Sequence, residues 1–203
     1  MWSGGYPRIW DVGIPPDRWL ADYVTTYVER DVRQVLDIGD LTIFRGFLFR
    51  LPAWTSNIRK RVVKRAKMHV VDTGLACHLL GIGDPDQLRT HPLRGALFES
   101  WVTAEILKVR AHRGASPALA HLRESRGAEI DLIVESDNRV RLVEVRSGAT
   151  VAGDWMTALR TVAARDGWES PGPDLRLVYG GDRRHTRRDV DVIGWSDVPD
   201  VDW

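Results

Sequence analysis

Apolar residues recur at helical spacing from Asp17 to Leu36, where Leu20, Tyr23, Val24, Tyr27, Val28, Val35 and Leu36 line one face and Glu29, Arg30, Asp31 and Arg33 the other. With Pro15-Pro16-Asp17 as its start, this pattern predicts one amphipathic helix. A second long helix is predicted from Leu93 to Arg113, with Leu97, Val102, Ile106, Leu107 and Val109 on its apolar side. The pattern then changes to short apolar runs bounded by turn residues. These predict strands over Leu119–Glu124, Glu129–Glu135, Arg139–Val145, Leu175–Tyr179 and Val190–Trp195, with a helix over Asp154–Asp166. Earlier, MHVVDTGLACHLLG reads as a short strand, a turn at Asp72-Thr73-Gly74 and a short helix starting at Asp72, with Gly81 to Pro92 a connector. The run Ile38 to Leu51, including FRGFLFRLP, fits neither period.

Within the strands, carboxylates interrupt runs whose composition otherwise predicts burial. Residues i and i+2 of a strand share a face, so Glu129 and Asp131 lie on one side, as do Glu144 and Arg146 on the next run. Ser136 to Arg139, with Asp137-Asn138 at its tip, suits a tight turn, and the two runs are expected to pair as an antiparallel hairpin. That pairing would bring the acids together. Ionised carboxylates crowded away from water repel unless a cation or donor compensates them.

Bulk composition narrows the rest. At 203 residues the chain is long enough for one full-sized domain and a smaller appendage. A net charge of +1 argues against an overall polyelectrolyte, so basic chemistry must come from local clustering. The cluster is Arg59, Lys60, Arg61, Lys64, Arg65 and Lys67, near Trp54, and it reads either as a phosphate-contacting stripe or as a solvated basic face. One cysteine, Cys77, excludes an internal disulfide and a multi-cysteine zinc site; beside Ala76 and Leu79 it is expected to be buried and inert. The six histidines lack metal-ligand spacing. With neither a membrane-spanning run nor a signal segment, the expected location is the cytoplasm.

The order from Leu93 is helix, three strands, helix, strand, with Glu99 on the first helix, Asp131 on the second strand and Glu144-Val145-Arg146 ending the third. This resembles the PD-(D/E)XK nuclease-like superfamily. The resemblance implies an α/β, restriction-endonuclease-like mixed sheet with flanking helices over residues 92–203, preceded by a helical N-terminal segment over 1–91. It also implies Mg²⁺ held by Asp131 and Glu144, assistance from Glu99, and a catalytic or phosphate-steadying role for Arg146. Two departures stand out. Arg146 replaces the usual lysine and cannot act as a neutral amine, and Ile130 stands where a proline commonly precedes the aspartate. The bland alternative is an internal network in which Arg146 neutralises Glu144 or Asp131 and no metal binds.

A broader resemblance covers nearly the whole chain. GGYPRI, YVTTYVERDVRQV, RLPAWTSNIRKRVVKRAKMHVVDTGLACHLLG, LRGALFESWVTAEI and the hairpin ending in EVRSG are similar, in order, to the C-terminal half of a prokaryotic AAA+-type ATPase family. There a P-loop module and a winged-helix segment precede a nuclease-like domain of unknown function. No G-x-x-x-x-G-K-[ST] occurs here, so no ATP site and no ATPase activity of the chain's own are expected. Leu41 to Arg50 takes the place of most of the winged-helix stretch, which marks the chain as shortened inside as well as at its front. The resemblance implies a nucleic-acid-associated accessory domain, a metal-dependent nuclease in degenerate form. The alternatives are a non-enzymatic module docking on a protein such as an intact ATPase subunit through the apolar surface around Phe44 to Trp54, and a truncated remnant of the family.

Overall fold

The computed structural model describes residues 2–28, 48–51, 67–124, 127–136, 139–165, 167–168 and 170–203. As far as these residues go, packing divides the chain into two compact units that interleave along the sequence: Met1–Phe49 with Val70–Trp101, and Arg50–His69 with Val102–Trp203. The sequence reading drew a single cut between residues 91 and 92. Two short strands, β1 (Leu48–Leu51) and β2 (Lys67–Val70), pair with each other.

The first unit is helical. Its elements are α1 (Pro7–Asp11), α2 (Pro16–Tyr23) running into a π-helical turn at Val24–Val28, α3 (Thr73–Leu79) and α4 (Pro85–Thr90). The helix predicted from Asp17 thus starts one residue earlier, and residues 29–36 of that prediction lie outside the described residues. Asp72 caps α3 as expected, its Oδ1 accepting from the Leu75 N–H at 2.8 Å, while Oδ2 accepts from the Gly5 N–H at 2.8 Å and ties the N-terminal glycine turn to the same carboxylate. The connector predicted over Gly81–Pro92 contains α4 instead. Its start signal is Asp84-Pro85: the Asp84 side chain accepts from Gln87 N–H at 2.8 Å, and proline occupies the first helical position, where no N–H is needed. Small clusters hold this unit, one of Ile9, Leu20 and Leu75 under Tyr6, Trp19 and Tyr23, the other of Ala76, Cys77, Ile82, Leu88 and Leu97 with Trp2.

The helix α5 (Arg94–His112) has residues in both units and matches its prediction to one residue at each end. In the second unit a six-stranded mixed sheet runs in the order β3-β4-β5-β6-β8-β7. Its strands are β3 (Leu119–Arg123), β4 (Glu129–Ser136), β5 (Arg139–Arg146), β6 (Asp174–Tyr179), β7 (His185–Arg187) and β8 (Val190–Gly194). The chain is therefore a mixed α/β protein. Strands β3, β4 and β5 form an antiparallel meander, whereas β5, β6 and β8 are mutually parallel. Parallel neighbours need a crossover, and between β5 and β6 it is made by a 3₁₀ turn at Gly153–Met156 and α6 (Thr157–Ala163), which packs on β4, β5 and β6. Strand β7 was not predicted because it is three exposed residues with no apolar alternation.

The core of this unit contains Ile130, Ile133, Leu142, Leu159, Val162, Leu177 and Val192. Burial on both faces explains why β4 and β5 read as nearly continuous apolar runs. Arg110 of α5 is buried but satisfied, donating to the carbonyls of Ser116 (2.8 Å), Glu135 (2.8 Å) and Trp203 (3.1 Å), and so joins the helix to β4 and the C-terminal residue.

Candidate functional site

The β4–β5 hairpin sets the geometry. Leu132 pairs with Val143, and one residue further along the two strands come Asp131 and Glu144. Directly opposed residues of antiparallel strands put their side chains on one face, so the carboxylates are neighbours. Both are buried, Asp131 at 6% exposure and Glu144 at 2%.

Two cations meet them. Arg146, two residues after Glu144 and on its face, pairs through Nη2 with Glu144 Oε1, and its Nη1 lies 3.5 Å from Asp131 Oδ2 and donates to the Val145 carbonyl at 3.0 Å. Lys67 of β2 donates from Nζ to Asp131 Oδ1 at 3.0 Å and lies 3.5 Å from Glu129 Oε1. Asp131 Oδ2 also accepts from the Val145 N–H at 3.0 Å, a buried contact that locks the carboxylate to β5. That Lys67 reaches both Glu129 and Asp131 agrees with the shared face expected of residues two apart in a strand.

The electrostatics of this cluster are opposed. Burial, then the charge of Asp131, push the Glu144 carboxyl up to about 8, against the pull of Arg146 and Lys67. His69, also on β2 and buried, is pushed down to about 4, chiefly by burial and then by the Lys67 charge, with Asp131 opposing. Glu144 Oε2 is buried and accepts no hydrogen bond among the described residues.

A divalent ion would need these same oxygens. Asp131 Oδ1 is held by Lys67, Asp131 Oδ2 by Val145 and Arg146, and Glu144 Oε1 by Arg146. Only Glu144 Oε2 is left, and one buried oxygen does not make the six-oxygen shell magnesium prefers. Among the described residues no group of three or more His, Cys, Asp and Glu is arranged to hold a metal ion. The Mg²⁺ expected on Asp131 and Glu144 does not fit this arrangement, because two side-chain cations already engage the pair's oxygens.

Of the predicted site residues, Asp131, Glu144 and Arg146 come together. Glu99 lies on α5, in the part of that helix that counts with the first unit. Lys67, grouped by sequence with the basic run, turns its ammonium to Asp131 and Glu129. The remaining basic residues, Arg59, Lys60, Arg61, Lys64 and Arg65, lie outside the described residues. Lys67 is the member of the cluster that sequence reasoning assigned elsewhere. It sits 64 residues from Asp131, and no local spacing signals that contact.

Residues 94–198, which hold α5 and all six strands of the mixed sheet, match a family described as a domain of unknown function, DUF4143, and the chain belongs to that family. Residues 45–86 match a second domain of unknown function, DUF8612. Uncharacterized proteins of Mycobacterium bovis and Mycobacterium tuberculosis are each 26% identical over 243 residues, covering 94% of this chain and 52% of their own length. The chain thus spans about half the length of the curated relatives it matches. The aligned stretch exceeds the 203 residues present here, so the relatives carry insertions relative to this chain. No solved structure matches significantly. Among the described residues no helix is long and apolar enough to cross a membrane.

Proposed function

We propose that the chain is a nucleic-acid-associated accessory domain of an AAA+-type ATPase-family protein, built on a restriction-endonuclease-like fold whose nuclease-type site is degenerate. The observation that carries this reading is the pairing of Asp131 and Glu144 across β4 and β5, with the guanidinium of Arg146 between them. The antiparallel meander, the helical crossover and the parallel strands after it match the order the resemblance implies. Insertions in the relatives accord with a chain shortened inside. The basic run from Arg59 to Arg65 is the candidate nucleic-acid contact.

The chemistry open to the chain's own residues is modest. Arg146 stays protonated, so it can bind phosphate as a fork of donors but cannot accept a proton from water. Hydrolysis would need an activated water, and the carboxylates that would recruit a metal for it are engaged. The test is fluorescence anisotropy of a labelled DNA duplex at increasing salt, with a Mg²⁺ cleavage assay alongside. The expected result is binding that weakens steeply with salt, weaker binding by an Arg59→Ala/Lys60→Ala/Arg61→Ala variant, and no cleavage. A folded protein that binds no nucleic acid at low salt would overturn this reading and leave the docking module.

A further inference from the structure

We propose that Arg146 is a built-in replacement for a divalent cation, so that the site is permanently loaded by the chain itself. Its guanidinium contacts Asp131 Oδ2, Glu144 Oε1 and the Val145 carbonyl oxygen. Two carboxylates and a carbonyl are the hard oxygen donors that magnesium or manganese would otherwise take. Lys67 covers the other Asp131 oxygen at 3.0 Å, so the two cations between them engage three of the four carboxylate oxygens.

Tethering makes this substitution durable. Arg146 is two residues from Glu144 on the same strand face, so its effective concentration at the carboxylates stands far above that of a free ion competing from solution. A dication entering the site would meet two side-chain cations, Lys67 and Arg146, already in contact with Asp131 and Glu144. The Arg146 side chain is nonetheless 41% exposed, so replacing it opens the oxygens to solvent without leaving a sealed cavity in the core. Asp131, Glu144 and the Val145 carbonyl therefore form a latent divalent-cation site, closed by Arg146 and flanked by Lys67.

This inference rests on the degenerate-site reading, but its test is independent of nucleic acid. Mn²⁺ is titrated by isothermal calorimetry into the full chain, its Arg146→Met and Arg146→Ala variants, and an Arg146→Met/Glu144→Gln double variant, with circular dichroism to confirm folding. The expected result is no saturable binding to wild type, gain of one saturable site in either folded single variant, and its loss in the double variant. Saturable binding to wild type would overturn the proposal. So would a folded single variant that stays silent, or failure of both single variants to fold, which would make the guanidinium indispensable structural cement. Loss of nucleic-acid binding in the anisotropy experiment would remove the proposed function while leaving this result intact.

Discussion

Glu144 makes the buried cluster pH-dependent, and the direction follows from its surroundings. Its carboxyl is raised from the ordinary 4.5 to about 8 by burial and by Asp131, with Glu129 adding to them and Arg146 and Lys67 opposing. A raised folded-state value means that its stabilising contribution is complete below about 4.5 and is lost as pH rises through about 8. His69, lowered from 6.5 to about 4, works the other way: its contribution is present above 6.5 and is lost as pH falls through about 4. Between pH 6.5 and 8, of these two groups, Glu144 alone should govern the slope. Wild-type stability should fall across that window relative to Glu144→Gln, at up to about 1.4 kcal/mol per pH unit. Urea denaturation at several pH values reads this, and parallel curves for the two proteins would contradict it. At this scale the sequence showed the acids and Arg146, because a two-residue strand period and a short turn are local. It did not show Lys67, whose partnership with Asp131 spans 64 positions.

Among the elements, the end of β5 is fixed by a close approach from β6. Gly180, just past β6, donates its N–H to the carbonyls of Arg146 and Gly148, each at 3.0 Å, and a Cβ at this position would collide with the Ser147 backbone carbonyl. Backbone cannot swing aside as a side chain can, so Gly180→Ala should destabilise the sheet unit by about 1–3 kcal/mol and disturb the strand end that carries Arg146. Equilibrium denaturation with the unchanged protein as control tests this, and an unaltered midpoint would contradict it. The long periodic helix and the apolar strands were legible because burial writes a period into the residues. Elements α1, α4 and β7 were missed because they are short: the first two begin with proline at the first turn, and the third is an exposed edge strand. Asp84-Pro85 was a readable start signal for α4.

For the whole molecule, the linear order of segments and the compact units differ. Residues 67–69 of β2 count with the sheet unit while Val70 counts with the helical one, so a site residue reaches the carboxylates from outside the family match at 94–198. A single cut at 91/92 follows from the resemblance to the nuclease-like domain. It separates Lys67 from the unit whose charge it balances. The carboxylate pair is held by the chain's own cations, Arg146 and Lys67. The most direct test is a crystal structure of the wild-type chain grown with Mn²⁺, read by anomalous difference density. The account predicts no peak at Asp131 and Glu144, with the Arg146 guanidinium between them and Lys67 on Asp131. A manganese peak bridging the two carboxylates, with Arg146 turned away, would contradict it.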